Sequence, residues 1–231
     1  MRYLGGAIAR AGFAARGVPL PGHGTSVEDL DRARWQDWVA AVECEIDTMS
    51  RRCRRVAVVG QSLGGLLALY LAARRRDLAA VASLAAPLWL DGLTGRVSRW
   101  LGGPLGRRIH RIPKLGGSDV RDPRARAENP CYPAIPTRAL GELLAFMPIV
   151  DAALPAITSP VLVVHARHDH TAPPACAVRI AARARARRVR WLERSFHLIA
   201  VDVERDIVAA EVIAFLRRHA APAPGDLSCV M

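Results

Sequence analysis

Lysine is almost missing from this 231-residue chain. Lys114 is the only one, so nearly all of the 33 basic residues are arginines and the formal charge of +12 reflects a compositional bias. Aromatics are also scarce, at 5%, too few to interleave stacking platforms with a basic groove as nucleic-acid binders do. Nor do the arginines gather on one face. Arg51, Arg52, Arg54 and Arg55, then Arg74 to Arg76, then Arg183 to Arg188 fall where helices should end or strands begin, and cations there complement the helix dipole. No nucleic-acid partner is expected. The five cysteines include no C-x-x-C pair, and an odd count without such pairs suits a reducing compartment, the cytoplasm by default. Arg10 and Arg16 interrupt the apolar start, which leaves no signal-peptide core, and no run of about 20 uncharged apolar residues follows to cross a membrane. What is present is a chain 51% apolar with 18 Gly and 16 Pro, the composition of a folding globular protein. Its length suits one large domain, or a domain with an insertion, that buries roughly 70–75% of its unfolded surface.

Short β-branched runs alternate with longer helical patterns. Phe13 to Val18, Val56 to Val59, Val81 to Leu84, Val161 to Val164 and Val189 to Leu192 read as strands, the second and fourth almost continuously apolar, as parallel strands covered on both faces are. Trp35, Trp38, Val39, Val42, Ile46 and Met49 recur at helical spacing, as do Val208, Val212, Phe215 and Leu216, so the two tryptophans read as core anchors. Strand, helix, strand, helix implies an α/β fold with a mostly parallel sheet flanked by helices. The rhythm breaks between Pro87 and Pro155, where Gly102-Gly103-Pro104, Gly116-Gly117 and Asn129-Pro130 punctuate apolar residues such as Trp89, Trp100, Leu101 and Phe146. A structureless loop of that length would be abnormal. The expected organisation is therefore a discontinuous core over residues 1–86 and 155–220, a cap of short helices over 87–154, and a flexible Ala-Pro-rich tail over 221–231. The insertion follows a strand C-terminus, where α/β sheets bind ligands.

The run Val56 to Val59 leads into Gly60-Gln61-Ser62-Leu63-Gly64-Gly65 and then an apolar helix, Leu66 to Ala73. This is G-x-S-x-G between a strand and a helix. A serine hydroxyl is a weak nucleophile unless it stands exposed at a sharp turn, beside a base and before backbone donors. Both partners appear downstream. Asp169 lies just past the strand Val161 to Val164, and His197 lies in Ser195-Phe196-His197, between the strand Val189 to Leu192 and the last helix. A base of this kind needs a carboxylate to hold its tautomer, and Ser62, Asp169, His197 is the chain order of α/β hydrolases.

Leu20-Pro21-Gly22-His23-Gly24, Trp35-Gln36-Asp37-Trp38, Gly60 to Gly65, Ala166-Arg167-His168-Asp169 and Ser195-Phe196-His197 together resemble the bacterial carboxylesterase and monoacylglycerol lipase group of α/β hydrolases. The resemblance covers nearly the whole chain, the cap only loosely. It implies Ser62 as nucleophile, Asp169 as acid, His197 as base and the Leu63 amide as one oxyanion donor, acting without metal or cofactor. It also implies a small-molecule substrate, a carboxylic ester of short to medium acyl chain or a monoacylglycerol-like lipid; the apolar cap points the same way. His23 matches a loop residue with no chemistry assigned.

The same resemblance implies a strand ending in His-Gly ahead of the first helix, inserted between the strands at Phe13 to Val18 and Val56 to Val59, whose loop supplies a second oxyanion amide. This sequence opens at Met1-Arg2-Tyr3-Leu4, inside that helix, and Gly22-His23-Gly24 follows the later strand. An N-terminally truncated chain is expected, with unpaired backbone near the sheet centre and weak activity.

Two other readings differ in class. His165, His168, Asp169 and His170 nearly spell a metallohydrolase ligand set, but Arg167 stands where a second histidine would, and a guanidinium repels a cation. The other is a catalytically impaired or non-enzymatic protein on this fold that binds anionic partners through its arginines.

Overall fold

The computed structural model describes residues 1–90, 110–113, 117–186, 189–221 and 228–231. Its main sheet is built from β1 (Ala14–Ala15), β2 (Arg55–Gln61), β3 (Leu78–Leu84), β6 (Val161–Ala166), β7 (Val189–Leu192) and β8 (Ser228–Val230), in the spatial order β1-β8-β2-β3-β6-β7. Every pairing in it is parallel, as the alternation of strand and helix predicts. Strand periodicity sorts the core into two layers. Val56, Val58, Val81, Val161 and Val163 face one side, against α3 (Trp35–Ser50), α4 (Leu63–Arg74) and α7 (Pro174–Arg183). Ala57, Val59, Ala80, Ala82, Leu162 and Val164 face the other, against Leu4 and Ile8 of α1 (Arg2–Arg10) and Val208, Val212 and Leu216 of α8 (Arg205–His219).

The helices end where the arginines are. Arg51 caps α3, Arg74 closes α4 and Arg183 closes α7; Arg187 and Arg188 lie outside the described residues. Trp38 is fully buried and its indole N–H donates to the Pro21 carbonyl at 3.0 Å. Trp35 is half-buried and stacks on Phe146 at 5.2 Å.

Between β3 and β6 the described part of the insertion comprises an antiparallel pair, β4 (Arg111–Pro113) with β5 (Ala134–Pro136), then α5 (Pro123–Glu128) and α6 (Thr137–Ala153), after α2 (Val27–Arg32) earlier in the chain. Trp100, Leu101, Gly102-Gly103-Pro104 and Gly116 lie outside the described residues. Thr137–Ala156 is long and apolar enough to cross a membrane by length and composition, with a mean hydropathy of 1.5, a segment that a search for uncharged runs passes over because Arg138, Glu142 and Asp151 interrupt it. Phe146, Met147, Val150 and Leu154 of this segment are buried in the protein core instead.

The C-terminus corrects two expectations. Ser228–Val230, assigned from sequence to a flexible tail at 221–231, form a buried strand between β1 and β2; residues 222–227 lie outside the described set. The backbone expected to be orphaned is thereby paired. The Arg16 amide donates to the Val230 carbonyl at 2.8 Å and the Met231 amide to the Ala57 carbonyl at 3.0 Å. Cys229 faces one core layer and Val230 the other. Cys229 also forms a disulfide with Cys53, their Cα atoms 5.8 Å apart, which departs from the all-reduced reading of the cysteines. Spacing along the chain carries no trace of a pair 176 residues apart.

Candidate active site

Ser62 occupies the turn between β2 and α4 with φ 55° and ψ −118°, a left-handed conformation that costs a non-glycine residue of order 1–3 kcal/mol. Its amide donates to the Leu84 carbonyl at 2.8 Å, which ties the turn to β3. The neighbouring glycines have unequal roles. A Cβ on Gly60 would stand 1.9 Å from the Gly64 carbonyl oxygen, and one on Gly65 would stand 2.9 Å from the Ala86 methyl. Gly64, the second glycine of G-x-S-x-G, faces open space. Close approach of strand and helix therefore depends on Gly60 and Gly65. Leu63 is the first residue of α4, where an amide has no acceptor within its own helix.

The three residues far apart in sequence meet at this turn. His197 Nε2 lies 2.9 Å from Ser62 Oγ, and its Nδ1 lies 2.9 and 3.1 Å from the two carboxylate oxygens of Asp169. His197 and Asp169 are both buried. Carboxylate acceptors on Nδ1 fix the tautomer, with Nδ1–H donating to Asp169 and Nε2 free to accept from the serine. Asp169 Oδ1 also accepts from the amides of Thr171 and Ala172 at 2.9 and 2.6 Å. Burial raises the Asp169 pKa, but hydrogen bonding and charge from His197, the Ala172 amide and His165 outweigh it and hold the carboxyl below its ordinary range.

Over residues 1–204 the sequence matches the serine aminopeptidase S33 family, Hydrolase_4. The chain belongs to this α/β-hydrolase family. Among relatives of this Hydrolase_4 chain, a thermostable monoacylglycerol lipase of Bacillus sp. (strain H-257) is 32% identical over 226 residues, which is 95% of this chain and 86% of that protein. A carboxylesterase of Bacillus subtilis (strain 168) is 26% identical across 94% of this chain and 87% of its own length. Among solved structures, one of the metagenome-derived lipolytic enzymes LipS and LipT superposes with a TM-score of 0.87 at 25% identity, covering 95% of this chain and 88% of its own. A soluble variant of monoglyceride lipase from Saccharomyces cerevisiae, 12% identical, shares the fold at a TM-score of 0.78, over 95% of this chain and 82% of its own.

Several residues that shape the Hydrolase_4 site carry no motif. The loop from β7 to His197 is held by two buried carboxylates that precede α8. Glu204 accepts from the amides of Glu193, Arg194 and Ser195 at 3.3, 2.9 and 2.7 Å and from the Ser195 hydroxyl at 2.7 Å. Burial pushes its pKa up, yet these donors outweigh that and hold it low. Asp202 accepts from the Phe196 amide, next to His197, and from the amides of Arg121 and Asp122 in the insertion, all at 2.8–2.9 Å. Asp119, also in the insertion, accepts from the His170 amide and the Thr171 hydroxyl at 3.2 and 3.0 Å. The insertion is thus tied to the loops of both Asp169 and His197.

The histidines near Asp169 diverge. His168 and His170 are exposed, whereas His165 is fully buried on β6, and among the described residues no three His, Cys, Asp or Glu side chains converge as a metal-ligating set. His23 packs edge-on against Trp38 at 5.8 Å, and its Nδ1 lies 3.3 Å from the Pro21 carbonyl.

Proposed function

We propose that this protein hydrolyses carboxylic esters of short to medium acyl chain, or monoacylglycerol-like lipids, through an acyl-enzyme on Ser62. The observation that carries this reading is the relay from Ser62 Oγ to His197 Nε2 at 2.9 Å and from His197 Nδ1 to Asp169 at 2.9 Å. His197 takes the hydroxyl proton as Oγ attacks the ester carbonyl, and the resulting imidazolium is stabilised by Asp169. The Leu63 amide, at the start of α4, donates to the oxyanion, a contribution of typically 10²–10³ in rate for one such donor. His197 then protonates the departing alcohol. Water, deprotonated by the same histidine, releases the acid. The chemistry requires no metal or cofactor.

The lipase and carboxylesterase among the relatives support an ester substrate, and the apolar side chains of the 87–154 cap support an apolar acyl group. A nitrophenyl-ester series of increasing chain length, with monoacylglycerols and aminoacyl nitroanilides alongside, tests the reading. Ester turnover, with labelling of Ser62 by a fluorophosphonate probe, is expected. Aminoacyl nitroanilide cleavage without ester turnover would overturn the substrate class. An unlabelled Ser62 would favour a non-catalytic protein that binds anionic partners.

A further inference from the structure

We infer that His165 is a positioning residue that fixes the Asp169 carboxylate, the fourth side chain of the relay; this rests on the proposed roles of Ser62, Asp169 and His197. His165 is the fifth residue of β6 and has no exposed surface. The strand is covered on both faces, and the His165 ring meets Trp191 edge-on at 6.2 Å. Its Nε2 lies 2.9 Å from the Ala172 carbonyl and 3.3 Å from Asp169 Oδ2. The Ala172 carbonyl can only accept, so Nε2 carries the hydrogen and donates it to that carbonyl, which sets the polarised N–H edge of the ring against Asp169 Oδ2. Its Nδ1 is buried without a hydrogen-bond partner among the described residues. An orphaned buried acceptor is destabilising, and here it stands beside an Nε2 that is held.

This electrostatic contact completes the surroundings of Asp169. Oδ1 accepts from Thr171 and Ala172 and lies 3.1 Å from His197 Nδ1, and Oδ2 takes the shorter bond from His197 with the N–H edge of His165 beside it. A carboxylate with about four acceptor sites then has one orientation, which presents Oδ2 to His197 Nδ1. The titratable groups whose fields act on His165 are Asp169 and His197, and those acting on Asp169 are His197 and His165. Burial, the larger effect, keeps His165 neutral against the pull of Asp169. It can therefore orient the carboxylate without neutralising it, whereas a protonated histidine would weaken the hold of Asp169 on His197.

Two variants of equal length separate orientation from packing. His165→Gln keeps an N–H near the position of Nε2, and His165→Met does not. Titration of ¹⁵N-histidine resonances should show the pKa of His197 raised by about half a unit or more in the Met variant, because a carboxylate that has lost the favourable field of a facing N–H holds a neighbouring proton more strongly. The Gln variant should stay near wild type. With an ester substrate, the Met variant should lose about tenfold in kcat at unchanged KM, as loss of a transition-state contribution does. If the Met protein does not fold, His165→Asn, polar but too short to reach Asp169, replaces it in the comparison. An unchanged His197 titration in the donor-free variant, or equal impairment of the Gln and Met variants, would overturn the inference. A raised His197 pKa in a protein that turns over no ester would instead sink the hydrolase reading and leave the positioning role standing.

Discussion

Ser62 holds a backbone conformation that is strained for a non-glycine residue, and the nucleophile role proposed for its Oγ gives that strain a purpose. Ser62→Ala removes one oxygen and should abolish ester turnover and fluorophosphonate labelling while circular dichroism stays unchanged. Asp169→Asn should leave a folded protein with kcat down by about 10³–10⁴, since an amide that donates toward Nδ1 favours the wrong tautomer; near-normal turnover in either variant would remove the relay. The same residues set the acid sensitivity of the fold. His165 has a lowered pKa in the folded protein, chiefly from burial, so as pH falls through histidine's ordinary value of about 6.5 the unfolded chain takes the proton first and stability declines. Asp169 and Glu204 are also depressed, and their contribution is present above the ordinary carboxylate range and lost as pH falls through about 4 and below. Thermal unfolding followed from pH 8 to pH 3 should therefore show two descending stages, and His165→Gln should make the first shallower, the remainder coming from His23, which burial also lowers. A melting temperature that rises between pH 7 and pH 5 would contradict this.

At the scale of the element, the turn into α4 and the loop into α8 are built differently. The turn depends on shape: Gly60→Ala and Gly65→Ala place a methyl against backbone or against Ala86 and should give unstable, inactive protein, while Gly64→Ala should fold with a melting temperature within a few degrees of wild type. The loop depends on hydrogen bonds: Glu204→Ala orphans three amides and a hydroxyl, and at about 1–3 kcal/mol for each buried orphan denaturant unfolding should show a loss of at least about 2 kcal/mol, with turnover falling as His197 loses its support. Legibility in sequence follows the same division. β2 and β6 are legible because both faces are covered and their valines run on; that Ser62, Asp169 and His197 come together is legible because each follows a strand in a set order. Asp202 and Glu204 are not, since carboxylates ahead of a helix look like ordinary N-terminal residues and their partners are backbone amides without a side-chain signature. Spacing groups His165 with His168 and His170, although His165 lies within β6, covered on both faces, and the others lie past the strand end. β1, expected over Phe13 to Val18, pairs only at Ala14–Ala15. β8 is three residues long and pairs with residues from the opposite end of the sequence, beyond the reach of any local pattern.

Across the whole molecule, β8 joins the sheet through β1 on one side and β2 on the other, and the Cys53–Cys229 disulfide fastens it. Closing a loop of 176 residues is worth up to about 5 kcal/mol in the chain-entropy picture. Reduction, or Cys229→Ser, should therefore lower the melting temperature, and removal of residues 228–231 should lower it further by exposing the facing edges of β1 and β2; equal stability of the shortened and full chains would show that the strand contributes nothing. The order in which the strands are made has a kinetic consequence. A ribosome adds about 5–20 residues per second and earlier segments commonly fold as they emerge, but here an interior strand of the sheet is the last of the described strands to be synthesised. Until it arrives, β1 and β2 have no shared neighbour, and the nascent chain must carry an open seam through its core. Pairing across so long a separation is intrinsically slow. Ribosome complexes stalled before Ser228–Val230 have emerged should remain sensitive to protease, and emergence of this strand should be the event that makes the protein resistant.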